Sequence, residues 1–267
     1  MSRYDSRTTM FSPEGRVYQV EYAMEAIMHA GAALGLLTKD GVILAAEKRV
    51  PSPLLDKEKA HDTTISGDKM FRIDDHLAVV VAGMTADANI LINHSRLTAQ
   101  RHSYQFHEGM PAEQMALRIA DLKQGYTQYG GQRPFGVAFL LAGFDVYYGF
   151  QLYHTDPSGN YNSWKAHAIG NNATTAQSLL KSDWTEGLTL NQGVQLALKA
   201  MGRTLDVAAL TTDKVELGIL TLTPEGVSKF RVVGDKEMAG YLDEAAKERA
   251  KEEKEAAAKR AEQEGKK

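Results

Sequence analysis

Few side chains in this sequence are spaced for chemistry. None of the 267 residues is a cysteine, which removes thiolate nucleophiles, thiolate metal sites and disulfides. The histidines are scattered. His102 and His107 stand five apart, a poor spacing for one ligand face, and no other pair has helical metal spacing beside carboxylates. No metal and no cofactor is expected. Gly130-Gly131 has the freedom of a phosphate loop but lacks the strand, helix and Lys-Ser/Thr that such a loop needs. Thr8 and Thr9 carry hydroxyls, yet they lie in a polar arm with no strand behind them.

Composition narrows the classes. The formal net charge is -3, with no basic excess of the kind nucleic-acid binding requires, so no nucleic-acid partner is expected. No apolar run approaches the roughly 20 residues of a membrane helix, and Met1-Ser2-Arg3-Tyr4-Asp5 lacks a signal-peptide core. The expectation is a soluble protein of cytoplasm and nucleus. The hydrophobic share of 43% is enough for a sizeable core.

The elements that would position any site follow from turn chemistry and periodicity. Ser12-Pro13-Glu14-Gly15 is a turn: proline presets φ and glycine permits positive φ. Val17, Val20, Met24, Ile27 and Met28 then recur at helical spacing and predict a helix ending near Gly31. Ala32 to Thr38 and Val42 to Lys48 flank Lys39-Asp40-Gly41, a hairpin signal. Lys69 to Ile73 and Leu77 to Ala82 form a second pair through Asp74-Asp75-His76. A helix with Ile90, Leu91 and Leu97 on its apolar face is predicted next. Another starts at Pro111 and carries Met115, Leu117, Ile119 and Leu122. Val137 to Phe144, Tyr147 to His154 and Tyr161 to Ile169 read as three strands. Asn171-Asn172 is placed to cap a helix reaching Trp184, and a further helix spans Leu190 to Leu205. Val215 to Leu222 and Val227 to Val233 form the last hairpin.

Strands and helices come in blocks and do not alternate as βαβ units. This predicts an α+β fold with antiparallel sheets: a four-layer α-β-β-α sandwich of two sheets faced by helices. One domain is expected over residues 1–242, with an arm at 1–11 and a helix region at 12–30. Residues 243–267 hold eight acidic and eight basic residues and no aromatic, and read as a charged tail, helical or disordered.

Several blocks, in order, resemble the α subunits of the 20S proteasome. They are Tyr4-Asp5, Phe11-Ser12-Pro13-Glu14-Gly15-Arg16, Gln19-Val20-Glu21-Tyr22-Ala23, Val81-Ala82-Gly83-Met84-Thr85-Ala86-Asp87-Ala88, Tyr126-Thr127-Gln128-Tyr129-Gly130-Gly131, Arg133-Pro134-Phe135-Gly136-Val137 and Asp156-Pro157-Ser158-Gly159. The spelling Arg3-Tyr4-Asp5-Ser6-Arg7-Thr8-Thr9 is most similar to the α type-4 branch. Ser6 departs from the consecutive Tyr-Asp-Arg of most members, so the role of that arginine is not carried over.

The resemblance implies the N-terminal-nucleophile hydrolase fold. Catalytic members expose a threonine at the start of the first strand, whose hydroxyl attacks while its own α-amine serves as base. Gly31 falls at that position, and Ala30 to Gly35 offer no hydroxyl or thiol. The resemblance therefore implies a non-catalytic subunit of a heptameric outer ring. Its partners would be other α subunits, the β ring, and a regulatory particle or other activator. Tyr4, Asp5, Pro13 and Tyr22 match the cluster that orders the gate arms. Lys69 and Gly83 match positions of the activator-docking pocket, where an ammonium suits a chain-end carboxylate. The rival view of Lys69 is a solvated strand-end lysine. Rival functions are an active threonine hydrolase of the same fold and a scaffold module outside proteolysis.

Overall fold

The computed structural model describes residues 9–48, 54, 69–129, 132–207 and 210–247. Helix α1 (Tyr18–Met28) leads into strands β1 (Ala33–Leu37), β2 (Gly41–Glu47), β3 (Met70–Asp74) and β4 (Leu77–Gly83). Helices α2 (Thr85–Phe106) and α3 (Ala112–Gln128) follow, then β5 (Val137–Asp145), β6 (Gly149–Thr155), β7 (Tyr161–Ser163) and β8 (Ala166–Ile169). Helices α4 (Ala173–Asp183) and α5 (Leu190–Leu205), strands β9 (Val215–Leu222) and β10 (Ser228–Val232), and helix α6 (235–247) complete the order.

Among the described residues two five-stranded sheets result, ordered β10-β9-β2-β1-β8 and β3-β4-β5-β6-β7, with every pairing antiparallel. The expected sandwich is the observed one, and the period of two explains its unbroken apolar runs. On β4, Ala78, Val80 and Ala82 point into a central cluster between the sheets, while Val79 and Val81 join the cluster beneath α2 and α3. On β2, Val42, Leu44 and Ala46 point to the centre, while Ile43 and Ala45 meet the cluster formed with α4 and α5. Both faces of both sheets are thus buried.

Four sequence expectations change. Residues 161–169 are not one strand. β7 pairs with β6, whereas β8 pairs with β1 in the other sheet, and Trp164-Lys165 carry the chain across. Main-chain bonds fix the crossing, from Trp164 N–H to Leu152 O at 2.8 Å and from Leu37 N–H to Lys165 O at 2.7 Å. On α2, Ile90 and Leu97 are half exposed, and the packed face is Asp87, Ala88, Leu91, Ile92, Ser95 and Ala99. Small residues there let the helix lie close to its sheet. Met28 of α1 likewise faces outward. Asn172 does occupy the N-cap of α4, but in a left-handed conformation without a side-chain cap, and its Nδ2 donates to Thr204 O at 3.0 Å. The helix that does have a capping box is α5, through Thr189 and Gln192.

Helix α6 runs through residue 242, and Tyr241, Leu242 and Ala245 pack on the cluster beneath α4 and α5. No helix among the described residues is long and apolar enough to cross a membrane.

Candidate functional site

The residue expected at the nucleophile position, Gly31, sits between α1 and β1 at one end of the sandwich. A Cβ added there would overlap Lys69 Nζ and lie 2.7 Å from Glu47 Oε2. The space of a nucleophile side chain is therefore filled by an ammonium and a carboxylate from elsewhere in the chain. Lys69 arrives because β3 starts beside β4: Val81 N–H donates to Lys69 O at 2.9 Å, and Lys69 N–H donates to Glu216 Oε1 at 3.0 Å. Its Nζ is buried, so the solvated strand-end view of this lysine is not how the chain places it. Glu47 ends β2, and its Oε2 accepts the Ala32 N–H at 3.0 Å.

Gly83 lies at the same end, on the last position of β4 and opposite Val137. Its φ of +128° and the overlap of any Cβ with Gly136 O both require glycine. The adjoining Met84 N–H donates to Gly136 O at 2.9 Å. Asp87, in the first turn of α2, accepts the Gly136 N–H at 2.8 Å and both terminal nitrogens of Arg133 at 2.6 and 2.8 Å. The hydrogen bond from Arg133 holds the Asp87 carboxyl below its ordinary range, with Gly136 N–H assisting. Lys123 braces the same segment from α3. It is fully buried, and its Nζ donates to Val137 O at 3.0 Å, Thr155 Oγ1 at 2.8 Å and Thr155 O at 3.3 Å. Burial lowers its pKa to about 7, against a smaller opposing pull from Asp156.

Of the expected gate residues, Tyr4 and Asp5 lie outside the described residues. Pro13 is exposed in a turn closed by Gly15 N–H to Ser12 O at 2.9 Å and Ser12 N–H to Arg16 O at 2.8 Å. Tyr22 is half exposed on α1 and stacks on Tyr18, ring centres 6.3 Å apart. Arg16 joins turn to helix through Nε and Nη2 bonds to Glu21 at 2.6 and 2.5 Å. The α1 residues Val20 and Ile27 are buried, and Ile27 belongs to the central cluster, so α1 lies over this end of the two sheets.

The described histidines give no centre. His107 is the left-handed C-cap of α2, and His102 Nε2 lies 3.7 Å from Glu108 Oε1. Among the described residues no group of three or more His, Cys, Asp or Glu could hold a metal. Gly130-Gly131 lies outside the described residues. Glu47, Glu216 and Lys123 carry no local signal in the sequence, being strand-end glutamates and a helical lysine. The meeting of Asp87 with Arg133 does leave a trace there: each lies in one of the blocks that carry the family resemblance.

Residues 27–220 match the family model of proteasome subunits, and residues 4–26 match the model of the N-terminal signature of A-type proteasome subunits. The chain is 54% identical over 242 residues to the proteasome alpha type-4 subunit of Spinacia oleracea, covering 91% of this chain and 94% of that one. It is 55% identical over 230 residues to the proteasome alpha type-4-A subunit of Arabidopsis thaliana, covering 86% and 90%. With the proteasome alpha type-4 subunit of Petunia hybrida it shares 52% over 240 residues, covering 90% and 94%. Two sheets faced by helices, a helix over the site end, and these matches together show that the chain belongs to the proteasome subunit family, in its α-type branch.

Proposed function

We propose that this chain is a non-catalytic subunit of the outer ring of a 20S proteasome core, and that it gates the passage of substrate and docks activators. One observation carries the reading: the nucleophile position is Gly31, and its side-chain space is taken by Lys69 Nζ and Glu47. Threonine chemistry needs a free hydroxyl and a free α-amine at that point. Here Ala30 to Gly35 supply no hydroxyl, and only His29 to Ala32 separate α1 from the strand. The surface left to α1 and the turn at Pro13 suits docking and gating, with Tyr4, Asp5, Pro13 and Tyr22 as the gate residues. Lys69 and Gly83 form the docking pocket for a chain-end carboxylate. Its neighbours are other α subunits in a seven-membered ring and the β ring, in cytoplasm and nucleus.

Removing residues 2–10 from the assembled particle tests gating. Basal peptide hydrolysis should rise, and an unchanged rate would count against the arm. Native mass of the particle tests the ring, since a chain never found in a heptamer-based assembly has another role. Intact N-terminal mass separates the rival hydrolase reading, which requires cleavage to a new threonine terminus.

A further inference from the structure

Gly31 is where α1 hands over to β1, and the two charges that crowd it have unequal engagements. Glu47 is tied to this junction twice: its Oε2 accepts the Ala32 N–H at 3.0 Å, and its own N–H donates to Ala32 O at 2.9 Å. Ala30, one residue before Gly31, accepts the Asn171 N–H at 2.8 Å. Lys69, by contrast, is held at this point through its main chain, on Val81 and Glu216, while its ammonium reaches the same spot as the Glu47 carboxylate. Lys69, Glu47, Ala32 and the foot of α1 are thus one contiguous set of contacts.

We propose that Glu47 is the resident carboxylate of the Lys69 site, and that a docking chain-end carboxylate competes with it. The inference rests on the docking reading above and adds the path by which docking is felt. Two carboxylates beside one ammonium in a poorly solvated site repel each other, so the newcomer favours the arrangement with Glu47 withdrawn. Withdrawal releases the Ala32 N–H. The peptide that joins α1 to β1 then loses its side-chain anchor, and α1 can shift with the turn at Pro13 that precedes it.

Amide hydrogen exchange on the intact particle tests this without a variant. The probe is a peptide copied from an activator C-terminus with a free carboxylate, set against the same peptide as its C-terminal amide. Exchange at Ala32 should quicken with the free acid and stay unchanged with the amide. Unchanged or slower exchange on binding of the free acid overturns the proposal. In particles carrying Glu47→Gln, the free-acid peptide should bind several-fold more tightly, because the competing charge is gone. Equal or weaker binding overturns competition. Lys69→Ala separates the two levels. If it leaves peptide affinity unchanged, the docking reading itself fails; if it weakens binding while Glu47→Gln changes nothing, docking stands and only the competition falls.

Discussion

Arg133 grips Asp87 through both terminal guanidinium nitrogens, and so ties the loop before β5 to the first turn of α2, 46 positions away. Asp87 is buried while Arg133 is half exposed. Removing the arginine leaves a buried carboxylate with only the Gly136 N–H, so Arg133→Ala should cost about 2 kcal/mol in chemical unfolding of the purified chain. The Asp87 pKa is lowered, chiefly by the bond from Arg133. Its contribution is therefore complete above the unfolded value of about 4 and is lost as pH falls through the lower folded value. The gap between wild type and variant should narrow in acid. A gap that is constant down to pH 2 would refute the account.

Lys123 predicts a pH dependence of the same sign in a different window. Its folded pKa is about 7, with burial the main cause. An unfolded lysine holds its proton to about pH 10.4. Between these values the unfolded chain binds more protons, so this group makes stability rise with pH from 7 to about 10. Below pH 7 both states are protonated and the dependence ends. Lys123→Met should flatten the rise in Tm across that window and lower Tm overall, because the carbonyls of Val137 and Thr155 lose their donor. Parallel Tm curves for the two proteins would show that Lys123 is not responsible.

His154 and His167 meet at a tilt at the crossing from one sheet to the other, ring centres 4.6 Å apart, with Trp164 stacked on His167 at 4.1 Å. Burial, aided at His154 by the neighbouring His167, lowers their pKa values to about 3 and about 4. Unfolded histidine titrates near 6.5, so the unfolded chain gains protons first as pH falls. Stability should drop between about pH 6.5 and 4, by at most about 1.4 kcal/mol per pH unit for each ring. The double variant His154→Phe, His167→Phe should lose this part of the slope in thermal unfolding. An unaltered acid slope would rule the pair out.

Gly31 and Lys69 make a steric prediction. Gly31→Ala forces the buried Nζ aside and should destabilise by about 1–3 kcal/mol, the usual range for overpacking. Shortening the intruding side chain with Lys69→Ala should recover part of that loss, giving a favourable coupling in a double-mutant cycle. Additive losses would mean that the two side-chain positions do not compete for space.

The order of most elements, and the absence of a hydroxyl from Ala30 to Gly35, can be read from the sequence. Those properties are local. Asp40-Gly41 turns the chain whatever lies beyond it, and runs such as Ala78 to Ala82 must bury both faces to be stable. Most of the rest was decided by partners distant in sequence. Tyr161 to Ile169 is extended nearly throughout, but which strand lies alongside each half sends β7 to one sheet and β8 to the other. Apolar character alone puts Ile90 and Leu97 on the α2 face with Leu91, whereas the packed face joins Leu91 to Ala88, Ile92, Ser95 and Ala99 and leaves the other two half exposed. The site shows the same division. Gly31 is legible as a missing side chain, but that Lys69 and Glu47 fill its place depends on contacts across 38 and 16 positions. Such contacts form only when the two sheets close on each other, and no pattern along the chain encodes them.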